Sequence, residues 1–134
     1  MQLKYILYGN IIVGVLMGFI KVKAFIWNIF DPKKSREVEF LADTGAIYTV
    51  LPETLLNQLN IRKIGRRKFR LADNRIAERD IGIIGIKINN RETHTIVVFG
   101  DKNIHILGIT TLEELGLEID PISRKLKEME LLLL

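Results

Sequence analysis

Cysteine is absent from all 134 residues, so neither a disulfide framework nor a thiolate metal site is available. Histidine is almost as scarce. His94 and His105 are the two present, with no H-E-x-x-H spacing, and each reads as a structural or exposed residue of a strand-like stretch. No metal and no cofactor are implied. The closest approach to a phosphate loop, Gly82-Ile83-Ile84-Gly85, lies in a strand-like run without a following Lys-Ser/Thr. Ser35 and Ser123 have no neighbouring His-Asp arrangement, which removes support for a serine mechanism. What is present is a globular composition, 48% hydrophobic and 27% charged, in a length suited to one core. The net charge of +4 is too modest to demand an acidic partner.

Charge is also missing locally. Tyr5 to Ile20 carries none, with Lys4 before it and Lys21 and Lys23 after it. The run is slightly short for a spanning helix and is interrupted by Asn10. Three readings compete: a membrane anchor or signal-like segment through residues 5–20, a buried strand or helix, or an extension ahead of a true start at Met17. The third is preferred, giving an N-terminal extension at 1–16 and a domain at 17–134. A cytoplasmic location is expected, with membrane attachment as the alternative.

From Phe19 the texture is β. Ile20, Val22, Ala24 and Ile26 alternate with Lys21, Lys23, Phe25 and Trp27. Asp-Pro-Lys-Lys at 31–34 marks a turn within Asn28 to Ser35, and Arg36 to Ala42 reads as the returning strand. Tyr48 to Leu51 is a short strand, and Pro52 to Asn60 a helix with Pro in its first turn and Asn60 at its end. Strands follow at 67–71, 75–88, 93–99 and 104–107, separated by turns at Ala72-Asp73-Asn74, Asn89-Asn90-Arg91 and Gly100 to Asn103. A second short helix begins at Thr110, where Thr110 and Glu113 fit a capping box and Gly116 a terminator.

Chemistry concentrates at Glu39-Phe40-Leu41-Ala42-Asp43-Thr44-Gly45-Ala46. A carboxylate ending an apolar strand must be hydrogen-bonded or used, because leaving water is costly. Gly45 allows a tight turn that brings backbone N–H groups to Asp43 and favours its charged form. Asp-Thr-Gly alone is also ordinary turn chemistry.

The longer context is more specific. Phe40-Leu41-Ala42-Asp43-Thr44-Gly45-Ala46-Ile47-Tyr48-Thr49-Val50-Leu51 resembles the D-T-G-A signature of the retropepsin-like (retroviral-type) aspartic proteases, particularly small single-domain microbial versions. Ile106-Leu107-Gly108, followed by a short helix, resembles their second motif of two aliphatics and a glycine. The resemblance extends over residues 17–134. It implies an all-β acid-protease barrel with two short helices, one lobe per chain, and a homodimer. It implies peptide hydrolysis by a water held between two Asp43 carboxylates, one from each subunit. Leu71-Ala72-Asp73 echoes Leu41-Ala42-Asp43 but continues Asn-Arg, and no other Asp is followed by Thr-Gly, so a second acid must come from a second copy.

By the same resemblance, Thr44 braces the two loops, Gly45 permits their geometry and Ala46 shapes the pocket floor. Leu71, Ala72, Asp73, Asn74 and Arg75 form the tip of a candidate flap over the substrate, without the glycines of retroviral flaps. Ile47 and Tyr48 replace the acidic residues that often contact substrate in those enzymes. Leu131 to Leu134 would interleave with the partner's chain end; a strand or helix end packed within its own subunit, or a membrane-contacting tail, are the alternatives.

The basic cluster Arg62, Lys63, Arg66, Arg67, Lys68 and Arg70 suits either an acidic partner or a solvated strand face, and the second is preferred. No nucleic acid is expected, because only Phe69 accompanies these cations. Two rivals to the protease are a non-catalytic dimeric peptide-binding or adaptor module of the same fold, and a membrane-anchored protein resting on residues 5–20.

Overall fold

The computed structural model describes residues 4–8, 11–15, 19–71 and 73–133. Eleven strands and two six-residue helices make up the described residues. β1 (Lys4–Tyr8) and β2 (Ile11–Val15) pair with each other as a separate antiparallel hairpin. The described residues of the uncharged N-terminal run are therefore β rather than helical, and no helix among the described residues is long and apolar enough to cross a membrane. Met17 lies outside the described residues.

A seven-stranded sheet forms the body, in the order β3-β4-β9-β5-β8-β7-β6. Its members are β3 (Phe19–Asn28), β4 (Asp31–Asp43), β5 (Thr49–Pro52), β6 (Gly65–Arg70), β7 (Ile76–Ile88), β8 (Arg91–Gly100) and β9 (Ile106–Leu107). β7 also pairs with β3 through Phe25↔Lys87 to Trp27↔Gly85, so the sheet rolls back on itself. Two pairings are parallel, β4 with β9 and β5 with β8; the others are antiparallel. This is the all-β architecture with two short helices that the residue pattern implies.

Alternation decides which face is buried. Val22, Ala24 and Ile26 of β3 point inward with Val38, Phe40 and Ala42 of β4, while Lys21, Lys23, Glu37 and Glu39 face out. Phe40, Ile26, Ile84, Ile86, Leu107 and Val97 are among the fully buried side chains. Burying each one is worth roughly 1.5–3 kcal/mol relative to leaving it in water. α1 (Glu53–Gln58) closes one side with Leu55 and Leu56. Asn28 is buried beneath it, its amide donating to the carbonyls of Leu59 and Asn60 at 2.9 and 3.0 Å.

Several local expectations are corrected. The β3–β4 turn is Ile29-Phe30, and β4 starts at Asp31 rather than Arg36. Asp-Pro-Lys-Lys causes a register shift instead of the turn itself, since Asn28 opposes Asp31 while Trp27 opposes Ser35. Pro32, with no N–H to give, falls in that irregularity. β9 is only two residues long, so Ile104 and His105 belong to the preceding loop. The second helix, α2 (Ile109–Glu114), is capped at Gly108 with no side-chain hydrogen bond, so Thr110 and Glu113 form no capping box. Asn60 and Gly116 do close the helices in the left-handed conformation, at φ 57° and 70°.

The C-terminal segment forms a hairpin of β10 (Leu117–Asp120) and β11 (Lys125–Glu128). Beyond it Leu131, Leu132 and Leu133 are exposed and adopt no strand within the chain. Leu134 lies outside the described residues.

Candidate active site

Asp43 is the last residue of β4, where the strand leaves the core after fully buried Ala42. Its side chain is half-buried. The backbone turns at once: the Ala46 N–H donates to the Asp43 carbonyl at 3.0 Å, and the Gly45 N–H donates to Asp43 Oδ1 at 2.8 Å. That second bond fixes the carboxylate's direction and supplies a donor to its ionised form. Gly45 has no positive φ; its small size matters because a Cβ there would lie 3.3 Å from Asp43 Oδ1. Thr44 is exposed and Ala46 half-buried.

The loop is clipped to the second motif. Leu41 and Ala42 run parallel to Ile106 and Leu107, which delivers Gly108 against the backbone of Ile47 and Tyr48. A Cβ on Gly108 would come within 2.3 Å of the Tyr48 carbonyl carbon, so only glycine fits. Three N–H groups then reach back across the gap. Gly108 donates to Thr49 Oγ1 at 3.1 Å, Ile109 to the Ala46 carbonyl at 2.8 Å, and Thr110 to the Ile47 carbonyl at 3.0 Å.

Beneath this clip lies a buried chain of hydroxyls. Thr49 Oγ1 shares a hydrogen bond with Thr111 Oγ1 at 2.6 Å, Thr111 with Thr95 Oγ1 at 2.8 Å, and Thr95 donates to Glu114 Oε1 at 2.7 Å. The sequence reading missed Thr95, Thr111 and Glu114. The available signal was faint: threonine at an inward position of an otherwise aliphatic strand, as in Thr95-Ile96-Val97-Val98.

A cavity of about 710 Å³ opens beside the turn, lined by Gly45, Ala46, Ile47 and Tyr48 on one side and by Phe69 and Leu71 of the β6 arm on the other. Tyr48 and Phe69 meet edge-on at 6.3 Å between ring centres, closing part of its wall. The candidate flap shares this cavity through the β6 arm and Leu71 alone. Its tip is locked by polar bonds rather than glycines: Leu71 and Asn74 pair across the turn, Asp73 accepts from the Arg75 backbone at 3.1 Å, and Arg70 donates to the Asn74 carbonyl and Oδ1. Among the tip residues Leu71 lines the cavity, whereas Asp73, Asn74 and Arg75 do not; Ala72 is outside the described residues.

Residues 34–114, from within β4 to the end of α2, match the family described as "gag-polyprotein putative aspartyl protease". The chain belongs to this family of retroviral-type aspartyl proteases. No curated protein matches it in sequence. The solution structure of the simian foamy virus (mac) protease is similar to it with a TM-score of 0.52 and 17% identity, over 70% of this chain and 92% of that one. At that identity the likeness bears on the fold alone, and the fold is that of a retroviral protease. The family assigned from the D-T-G-A and Ile-Leu-Gly motifs is therefore the one to which this chain belongs, and both motifs lie inside the matched span.

Proposed function

We propose that the protein is a homodimeric aspartic endopeptidase in which Asp43 is supplied twice, once by each subunit. The observation that carries this reading is the Gly45 N–H bond to Asp43 Oδ1, which fixes a half-buried carboxylate in the turn whose next residues, Gly45 and Ala46, line a peptide-sized cavity. Two facing carboxylates that share one proton can divide the work on a bound water. The ionised one takes a proton from the water as its oxygen attacks the scissile carbonyl carbon. The protonated one gives its proton to the carbonyl oxygen; the tetrahedral diol then collapses as the first acid passes its proton to the departing amine nitrogen and a diol hydroxyl re-protonates the second. Water is the nucleophile, so the reaction needs no cofactor.

A second copy is favoured because none of the chain's other described aspartates is followed by Thr-Gly, and most are paired or bonded locally. Asp80 pairs with Lys63 and Arg66, Asp101 with Arg79, and Asp73 with Arg75. Asp120 accepts from the Ile122 N–H at 3.0 Å, and Asp31 begins β4 at the opposite end of the strand from Asp43. In the dimer Thr44, exposed in the single chain, would brace the partner's loop, and Leu131 to Leu133 would bury their apolar surface against the partner's chain end. Substrate would bind extended under the Leu71–Arg75 hairpin. The catalytic domain is proposed to span residues 17–134; the self-paired β1–β2 hairpin, separate from the sheet that begins at Phe19, supports that division.

The test is digestion of a peptide library by wild type and Asp43→Asn at matched concentration. Cleavage that vanishes in Asp43→Asn while the dimer persists is the expected result. A wild-type dimer that cleaves nothing from acidic to neutral pH would instead leave a peptide-binding adaptor.

A further inference from the structure

The basic cluster does not behave as one surface. Lys63 contacts Glu53 and Asp80 at 3.0 and 3.1 Å, Arg66 contacts Asp80 at 2.9 Å, and Arg62 lies over the ring of Phe30. Those three cations are accounted for by the chain itself. Arg67 is different. The β6–β7 ladder sets Arg66 opposite Asp80 and Lys68 opposite Glu78, but between them it sets Arg67 opposite Arg79. Like charges directly opposite each other in a sheet are destabilising, so a charge-matched ladder with one mismatched rung needs a counter-charge from somewhere.

The fold supplies little of it. Arg79 lies 3.6 Å from Asp101, a carboxylate that is itself 78% exposed. Arg67 donates to the neighbouring Arg66 carbonyl, and among the described residues no carboxylate lies within salt-bridge distance of it. Both arginines line the 710 Å³ cavity that Gly45 and Ala46 open onto. With Lys68 and Arg70 they make four cations at its wall against the single carboxylate of Asp101. Ile47, Tyr48, Val50 and Val98 supply apolar surface in the same cavity. Such a site suits a short aliphatic stem that ends in a negative charge.

We propose that this cavity is a specificity subsite for an acidic substrate side chain, with Arg67 and Arg79 as the paired guanidiniums that hold its carboxylate. The assignment deepens the endopeptidase reading and rests on it for the identity of the ligand as a peptide substrate. A glutamate would neutralise the mismatched rung, bond to the forked donors of Arg67, and lay its methylenes along Tyr48 and Val50. A glutamine of the same shape would leave both arginines uncompensated. The preference therefore follows from charge, since the two side chains are nearly the same in size and shape.

The experiment compares kcat/KM for matched peptides that differ only by Glu or Gln at each position around a cleaved bond. Hydrogen bonds to charged groups are worth enough that the Glu peptide should be favoured at least about tenfold at one position. The ratio should fall close to one in Arg67→Gln/Arg79→Gln, and Arg67→Glu/Arg79→Glu should turn the preference toward Lys. Arg62→Gln, in the same cluster but away from the cavity, should keep the wild-type ratio. A wild-type ratio near one at every position overturns the subsite, as does a preference that survives loss of both arginines.

The same peptides are also titrated against the full-length Asp43→Asn protein by fluorescence anisotropy. Arginine-dependent preference for Glu in binding, without cleavage by wild type, would overturn the endopeptidase reading and leave the subsite standing. Cleavage without Glu preference would do the reverse. Binding of a single-stranded oligonucleotide through Arg67 and Arg79, with no discrimination between the peptides, would also overturn the subsite.

Discussion

The Gly108 N–H donates to the Thr49 hydroxyl oxygen at 3.1 Å, and through that bond the two sequence motifs become one structural unit. Thr49 is fully buried, and its oxygen also faces Thr111 at 2.6 Å, so the contact is the first step of a polar chain running under the Asp43 loop. Replacing it with an isostere that lacks the hydroxyl would strand two buried groups. Thr49→Val should therefore lose about 1–3 kcal/mol of stability in urea unfolding, while Thr49→Ser keeps most of it.

Gly108 and Gly85 both lack room for a methyl group, but for different reasons. At Gly108 the obstacle is the backbone of Ile47 and Tyr48; at Gly85 it is the indole of Trp27, 2.1 Å from a built Cβ. A side chain can swing away and a backbone clipped by three hydrogen bonds cannot. Gly108→Ala should cost about 1–3 kcal/mol or more and move the Asp43 turn with it. Thermal unfolding should rank Gly108→Ala well below Gly85→Ala, with the loss of peptidase activity confined to the former.

These contrasts also mark what could be read in advance. The period-2 pattern of Ile20, Val22, Ala24 and Ile26 located β3 and its buried face, because alternation reports directly on which side meets the core. Asp43-Thr44-Gly45 and Ile106-Leu107-Gly108 could be picked out through their resemblance to the retropepsin-like motifs, and at Gly108 the Tyr48 backbone leaves no room for another residue. The β3–β4 turn was misplaced because Asp31-Pro32 is equally good chemistry for a turn and for a bulge, and only the cross-strand register tells them apart. The Thr110–Glu113 capping box failed for a related reason. The N–H groups at the start of α2 are spent on the Ala46 and Ile47 carbonyls, so the helix needs no side-chain cap. Thr95, Thr111 and Glu114 left only a faint signal since their partners lie far apart in the chain.

Asn74 turns the β6–β7 hairpin at φ 73°, a conformation costly for residues with a Cβ and no local polar compensation. Asn74→Ala should destabilise the fold by about 1–2 kcal/mol, and Asn74→Gly should not. Hydrogen exchange at residues 71 and 73–76 should rise in Asn74→Gly, since glycine frees the backbone that Arg70 and Asn74 together restrain.

Asp80 sits between Lys63 and Arg66, and the hydrogen bond from Lys63 leads the causes that hold its carboxyl below the ordinary carboxylate range. A folded value below the unfolded one gives stability that is present above the ordinary carboxylate range. It is lost as pH falls through the folded value. The wild-type advantage over Asp80→Asn should thus be constant near neutrality, shrink in acid and shrink with added salt, because Lys63 and Arg66 are solvent-exposed. Urea midpoints measured against pH for the two proteins give the comparison; an advantage that grows in acid would contradict it.

The measurement that bears most directly on the shared site is a mixing titration of wild type with Asp43→Asn at fixed total protein, after the subunits have exchanged. If each dimer needs both acids, an equal mixture keeps about a quarter of the wild-type activity, since only that share of random pairs has two intact copies. Activity that falls in simple proportion to the wild-type fraction, or that persists in a strictly monomeric sample, would contradict the account.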